Sequence, residues 1–416
     1  MIAKIRGLSP GLRQYLLVTF NYWNFTLTDG ALRMLVVLHF HQLGYSPLAI
    51  ASLFLFYEIF GVVTNLVGGY LGARIGLNRT MNLGLGMQVV ALLMLAVPST
   101  WLSVPYVMAA QALSGIAKDL NKMSAKSAIK TLVPKGESGA LYHWVAVLTG
   151  SKNALKGAGF FLGGLLLVLL GFQGAMAAMA SVLLLVLLAS LNWLGQDMGR
   201  AKSKPKFSQL FSKSHSINTL SAARLFLFGA RDLWFVIALP VYLGTTFGWS
   251  HTAVGGFLAL WVIGYGLVQG IAPRITGSDR RHGAVPDRGG ALKWAALLTF
   301  VTLIVALGVQ LQFLPQFTIV VGLMLFGAVF AVNSSLHSFL IVHYAGEDGV
   351  SMDVGFYYMA NAMGRLVGTI LSGLVFQLAG LAACLWVSTA FLALTTLISL
   401  KLPRESRDSL SQGEQS

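Results

Sequence analysis

Lys118 and Lys122 stand one helical turn apart in the run Gln111-Ala-Leu-Ser-Gly-Ile-Ala-Lys118-Asp119-Leu-Asn121-Lys122, and Lys152 and Lys156 repeat that spacing in Ser151-Lys152-Asn153-Ala-Leu-Lys156. Both runs are otherwise apolar enough to cross a membrane. A cation at the centre of a spanning helix costs about 2.5–3.5 kcal/mol on insertion scales, so such residues face protein or a wet cavity and mark function. Arg224, Arg231 and Arg365 add guanidinium groups to later apolar runs, and Asn153 and Asn361 add amides. Arginine can grip an oxyanion with two parallel hydrogen bonds, while lysine supplies a point charge. The set is suited to holding a small anion.

The acids that could neutralise it are fewer. Asp29, Glu58, Asp119 and Asp232 lie in the same apolar runs. Asp29 and Arg33 have i, i+4 spacing, and Asp119 and Lys122 have i, i+3 spacing, so each pair can bridge on one helix face. Arg231 and Asp232 project in different directions, which predicts a cross-helix partner for Asp232. Pairing all four acids still leaves cations over, and a multiply charged anion would neutralise that surplus in a low-dielectric cavity. Asp29 or Glu58 could instead carry a proton. Helix-tethering salt bridges account for part of the set.

The cations fall on polar stripes at 3.6 residues per turn. Gln111, Ser114, Lys118 and Lys122 form one; Thr149, Lys152 and Lys156 a second; Ser221, Arg224, Phe228 and Arg231 a third; Asn361, Arg365, Gly368 and Ser372 a fourth. Each would line a cavity, with the rest of its helix toward lipid. Lys126 and Lys130 continue the first stripe and read as interfacial lysines reaching for headgroups. His39, His41, His143, His337 and His343 do not form a metal-ligand set, and neither metal nor cofactor is expected. No phosphate-binding loop or catalytic triad is present, so the chain does not read as an enzyme.

These residues need long apolar helices to hold them. Of 416 residues 56% are hydrophobic and 10% charged, with mean hydropathy +0.73, far from the roughly 25% charged content of soluble chains. Apolar runs predict twelve spanning helices at 12–40, 47–72, 79–97, 104–130, 139–170, 174–194, 217–244, 251–272, 291–311, 316–340, 352–378 and 382–401. Alternate connections carry no Lys or Arg, and the opposite set carries many, including Lys4, Arg6, Arg74, Arg79, Lys135, Lys213, Arg274, Arg281 and Arg404. By the positive-inside rule both termini are cytoplasmic. The net charge of +15 is thereby explained by topology rather than nucleic acid. Lys4 and Arg6 precede a retained first helix instead of a cleaved signal. Cys384 is the sole cysteine, which excludes an internal disulfide and any multi-thiolate site.

The basic stretch 197–216 divides the helices into bundles 1–196 and 217–402. Residues 277–290 read as a mobile loop, and 403–416 as a disordered tail. Gly44-Tyr-Ser46 matches Gly248-Trp-Ser250, and Asn153-Ala154 matches Asn361-Ala362, at offsets close to half the chain. Parallel six-helix repeats are the major facilitator plan, in which substrate binds between the halves near the midplane. Gly69-Tyr-Leu-Gly72-Ala73-Arg74-Ile-Gly76-Leu-Asn-Arg79 resembles that superfamily's loop motif, with Ala73 at its acidic position.

A narrower resemblance is carried by Thr26-Leu-Thr28-Asp29-Gly30-Ala-Leu-Arg33, by Gly115 to Lys126, by Ser151 to Lys156, and by Leu225-Phe-Leu-Phe-Gly-Ala-Arg231-Asp232. The chain resembles the ArsJ-type organoarsenical efflux permeases over nearly its whole length. That resemblance implies export of 1-arseno-3-phosphoglycerate across a bacterial inner membrane, and hence arsenate resistance. The substrate would be made by glyceraldehyde-3-phosphate dehydrogenase, a functional partner, and the transporter would work as a monomer in the bilayer. A compact polyanion of this kind wants several Lys and Arg ligands. The competing readings are an organophosphate or sugar-phosphate exchanger on the same fold, and a non-transporting membrane receptor whose charges are structural ion pairs.

Overall fold

A computed structural model describes residues 10–45, 53–133, 137–194, 199–201, 205–211, 213–278 and 286–403. Lys4, Arg6, Lys135, Arg281 and Arg404 lie outside the described residues, as do half of the expected loop 277–290 and the tail after Pro403. The apolar runs become α-helices: α1 (Pro10–Gln42), α2 (Leu55–Ile75), α3 (Leu77–Leu95), α4 (Val104–Leu132), α5 (Ser138–Trp193), α6 (His215–Phe235), α7 (Ala238–Thr245), α8 (His251–Ile275), α9 (Arg288–Gln310), α10 (Pro315–Tyr344) and α11 (Val350–Ser399). The described residues contain no strand.

Boundaries differ from expectation where the backbone overrides hydropathy. The expected helices 139–170 and 174–194 both lie within α5 and meet at Gly171, whose φ of 67° is non-helical. Gly380, with φ 75°, breaks α11 in the same way. At 1.5 Å per residue the 56 residues of α5 would run about 84 Å if straight, against a hydrocarbon core of about 30 Å. The positive φ that glycine tolerates ends one helix and lets the next begin without an intervening loop. In contrast, the expected helix 217–244 is divided into α6 and α7 around Val236 and Ile237.

Six helical stretches among the described residues are long and apolar enough to cross a membrane: Ser138–Trp193, His215–Thr245, Ala253–Ile275, Arg288–Gln310, Pro315–Tyr344 and Val350–Ser399. Large apolar side chains face outward along them, including Val168, 83% exposed, and Leu378, 77% exposed. On helices of this length and hydropathy they form the surface offered to lipid.

The chain forms two compact units. One contains Met1–Glu137, Val147–Lys213 and Ala345–Ala362; the other contains Ser138–Ala146, Ser214–Tyr344 and Met363–Ser416. α5 and α11 therefore each contribute to both. The first unit packs Phe25, Leu32, Phe40, Leu92, Phe172 and Met176 into one apolar core. The second is centred on Trp234, Trp261, Phe326 and Phe330.

Glycines let the helix backbones touch. In the first unit, a Cβ on Gly159 would lie 2.5 Å from the Leu27 carbonyl, so α1 and α5 meet backbone to backbone. In the second unit, a Cβ on Gly364 would collide with the Leu225 carbonyl oxygen and sit 2.8 Å from its carbon. Backbone cannot step aside as a side chain can. Gly364→Ala is expected to cost about 1–3 kcal/mol through overpacking, read as an earlier thermal transition in detergent, whereas Gly164→Ala, with nothing within 4 Å, should leave the transition in place.

Candidate functional site

Each unit buries one carboxylate between two cations. In the first unit that acid is Asp119 on α4, with its side chain 2% exposed. Lys122 donates to Asp119 Oδ1 at 2.6 Å, and Lys118 Nζ lies 3.8 Å from Oδ2. The i, i+3 geometry places the Lys122 amine over the carboxylate. Lys118 also sits 3.8 Å from the centroid of the Tyr57 ring on α2, close enough for a cation–π attraction.

Tyr57 links this pair to a second group. Its hydroxyl donates to Asp29 Oδ1 at 2.7 Å, and the Arg33 guanidinium lies 4.0 Å from its ring centroid. The expected Asp29–Arg33 bridge is not formed. Arg33 instead donates to Glu58 Oε1 at 3.0 Å, crossing from α1 to α2, and Asp29 takes a neutral hydroxyl. Helix rotation explains the exchange: Glu58 follows Tyr57 directly, so the contact that brings Tyr57 to Asp29 delivers its neighbour to Arg33. Among the described residues Asp29 has no ion-pair partner.

Lys126 also departs from expectation. It does not reach for headgroups: the residue is 4% exposed and its amine donates to Thr149 Oγ1 on α5 at 3.0 Å. Lys130 bonds the Ala345 carbonyl. Lys152, Asn153 and Lys156 are half-buried on α5. The Lys156 carbonyl is 2.7 Å from where a Cβ on Gly30 would be, so α5 meets α1 beside Asp29. Asn361 is buried and belongs to the first unit.

In the second unit the shared acid is Asp232 on α6, fully buried. Arg231 Nε donates to its Oδ1 at 2.6 Å, and the Arg231 Nη2 group closes a second contact with the same oxygen. Arg365 Nε from α11 donates to Oδ2 at 3.1 Å. The expectation that Arg231 points away from Asp232 is therefore corrected, since the long guanidinium arm folds back to its neighbour. The cross-helix partner is present as well. Arg224 is 3% exposed. It donates to the Ser334 carbonyl at 3.3 Å and shares the Phe228 ring with Arg231, at 3.8 and 5.1 Å from the centroid.

Some members of two expected cavity stripes lie in helix contacts or in the interior. Gly368 lies against the Gly229 backbone and the Asp232 Cβ, and Ser372 Oγ accepts from the Ala238 amide at 3.2 Å. Gln111 and Ser114 are 0% exposed, and their side-chain polar atoms find no partner among the described residues. Tyr57 and Tyr358 escaped the sequence reading, because mid-helix tyrosines look like core until their rings are seen beneath ammonium groups. The Ala73 carbonyl accepts from the Ala201 amide at 2.8 Å, and Ser351 Oγ donates to the Gly69 carbonyl at 2.8 Å. Hydrogen bonds to backbone thus hold the end of α2, where Ala73 stands in place of an acid and where the expected loop motif is helical.

Ionisable side chains facing one another on apolar helices mark functional sites of multi-pass membrane proteins. The sequence matches the model of the Major Facilitator Superfamily over residues 15–281, and the chain belongs to that superfamily. Its fold is similar to that of the human organic anion transporter MFSD10 (TETRAN), with TM-score 0.75 at 19% identity, covering 94% of this chain and 100% of the other. A bacterial homologue of the iron transporter ferroportin in its outward-facing state matches with TM-score 0.73 at 14% identity, covering 94% and 99%. The E. coli fucose:proton symporter FucP gives TM-score 0.73 at 10% identity, covering 95% and 100%. At these identities the likeness concerns the fold. No curated relative matches the sequence.

Proposed function

We propose that this secondary transporter exports a small polyanionic organoarsenical, 1-arseno-3-phosphoglycerate, by alternating access, and so confers arsenate resistance. In this reading the chain crosses a bacterial inner membrane twelve times, as bundles 1–196 and 217–402 joined by the basic stretch 197–216. Both termini are cytoplasmic, the monomer is the working unit, and glyceraldehyde-3-phosphate dehydrogenase supplies the substrate.

The observation that carries the proposal is the sharing of Asp119 by Lys118 and Lys122, and of Asp232 by Arg231 and Arg365. One carboxylate between two cations leaves net positive charge where desolvation is costly, and a bound oxyanion offsets it. Lys152, Lys156, Arg224, Asn153 and Asn361 are the remaining proposed ligands. Of the four acids, Glu58, Asp119 and Asp232 face cations, while Asp29 accepts from a neutral hydroxyl. Asp29 is the proposed coupling acid, carrying a proton against the substrate.

The test loads proteoliposomes with the dehydrogenase, glyceraldehyde 3-phosphate, its nucleotide and arsenate, and follows arsenic in the outer medium. Release that needs both the running dehydrogenase and the full-length transporter is the expected result. Equal release with arsenate alone, or no release, overturns the substrate. The same cation surplus would also accept a sugar phosphate or glycerol phosphate, so efflux of those esters at the same rate would favour an organophosphate exchanger.

A further inference from the structure

α4 carries four lysines at strict four-residue spacing, Lys118, Lys122, Lys126 and Lys130, against one acid, Asp119. Successive members rise about 6 Å along the helix and stay near one face. The third of them, Lys126, is drawn inside. Its amine lies 4.9 Å from the centroid of the Tyr358 ring, and the Lys122 amine lies 5.0 Å from the same centroid. Thr149 on α5 fixes the Lys126 head at 3.0 Å. A lysine that only anchors the helix at the interface keeps its ammonium in water; this one is 4% exposed.

We infer that Lys126 is an additional anion ligand that reads the second charged head of a two-headed substrate. Lys118 and Lys122 take the first oxyanion beside Asp119, and Lys122 and Lys126 take the other across Tyr358. The rise of about 6 Å between rungs is the reach of a three-carbon backbone bearing an oxyanion at each end. The Tyr358 ring stabilises both ammonium groups through its π-face when no substrate is bound. The ladder therefore selects for the distance between two charges as well as for charge itself. This inference rests on the proposed anion transport and assigns a specificity-determining residue within it.

The test measures binding of propylphosphonate and propane-1,3-bisphosphonate to the purified full-length protein by calorimetry. The wild type is expected to favour the two-headed probe by about tenfold or more, the scale of one charge-assisted hydrogen bond. Lys126→Gln should bring that ratio close to one while leaving propylphosphonate affinity unchanged. Lys130→Gln, whose amine is bound to the Ala345 carbonyl, should keep the wild-type ratio. Equal weakening of both probes by Lys126→Gln, or no change in the ratio, overturns the inference. A second measurement does not need the variant to fold: bisphosphonates with one, three and six carbons between the heads should bind the wild type best at three. Affinity independent of that length also overturns the inference, whereas no binding of any phosphonate by the wild type would remove the anion reading beneath it.

Discussion

Asp232→Asn is expected to be the most damaging single substitution in the protein, lowering stability by about 3–5 kcal/mol, the usual consequence of leaving buried charge without its partner. Asp232 is fully buried and holds Arg231 through its Oδ1 and Arg365 through its Oδ2. Asparagine keeps the volume but removes the charge, so Arg231, its side chain 15% exposed, would lose its carboxylate beside the more exposed Arg365. The Asp232 Cβ also packs against Gly368, so the helix contact and the ion cluster would fail together. Unfolding in detergent, followed by denaturant or heat, reads the effect. The cause is separable from simple misfolding by a second substitution. Arg231→Met in the Asp232→Asn background should recover part of the loss, because it removes one uncompensated charge. If the double variant is no more stable than Asp232→Asn alone, charge is not the reason.

Charge patterns of this kind explain what the sequence could and could not disclose. The helical class was legible because apolar runs of about 20 residues are demanded by the bilayer, whatever the side chains do. The placement of Lys118, Arg231 and Arg365 inside long helices was legible for the same reason. Partner choice was not. Asp29 and Arg33 have ideal spacing for a bridge, yet Tyr57 and Glu58 arrive from α2 and take one each. Only the rotation of α2 against α1 decides that, and rotation is set by packing that hydropathy does not encode. Lys126 shows the same limit, because an interfacial lysine and an inward one look alike until Thr149 is seen within reach. Gly368 and Ser372, on the stripe of Arg365, serve packing: the glycine brings α6 and α11 together, and the serine hydroxyl accepts from an amide at the break between α6 and α7.

Asp29→Asn is expected to uncouple transport from protons while leaving exchange intact. The Asp29 carboxyl is 4% exposed and accepts from the Tyr57 hydroxyl at 2.7 Å, a bond that both an ionised and a protonated carboxyl can keep. Glu58, Asp119 and Asp232 each face at least one cation, so protonating any of them would leave a buried cation unbalanced. Tyr57 connects this carboxyl to the anion ligands, since the Lys118 amine rests 3.8 Å from its ring centroid. An anion that draws Lys118 away from the ring would alter the environment of the hydroxyl that Asp29 holds. Proteoliposomes containing a pH dye separate the two outcomes. When substrate is added outside, the proposed antiport would carry protons out and make the lumen more alkaline in the wild type. Asp29→Asn should abolish that change yet still exchange labelled for unlabelled substrate, because asparagine can accept the Tyr57 hydrogen bond but cannot carry a proton. Proton movement at wild-type stoichiometry in this variant would assign coupling elsewhere, and loss of exchange as well would make Asp29 part of the binding surface.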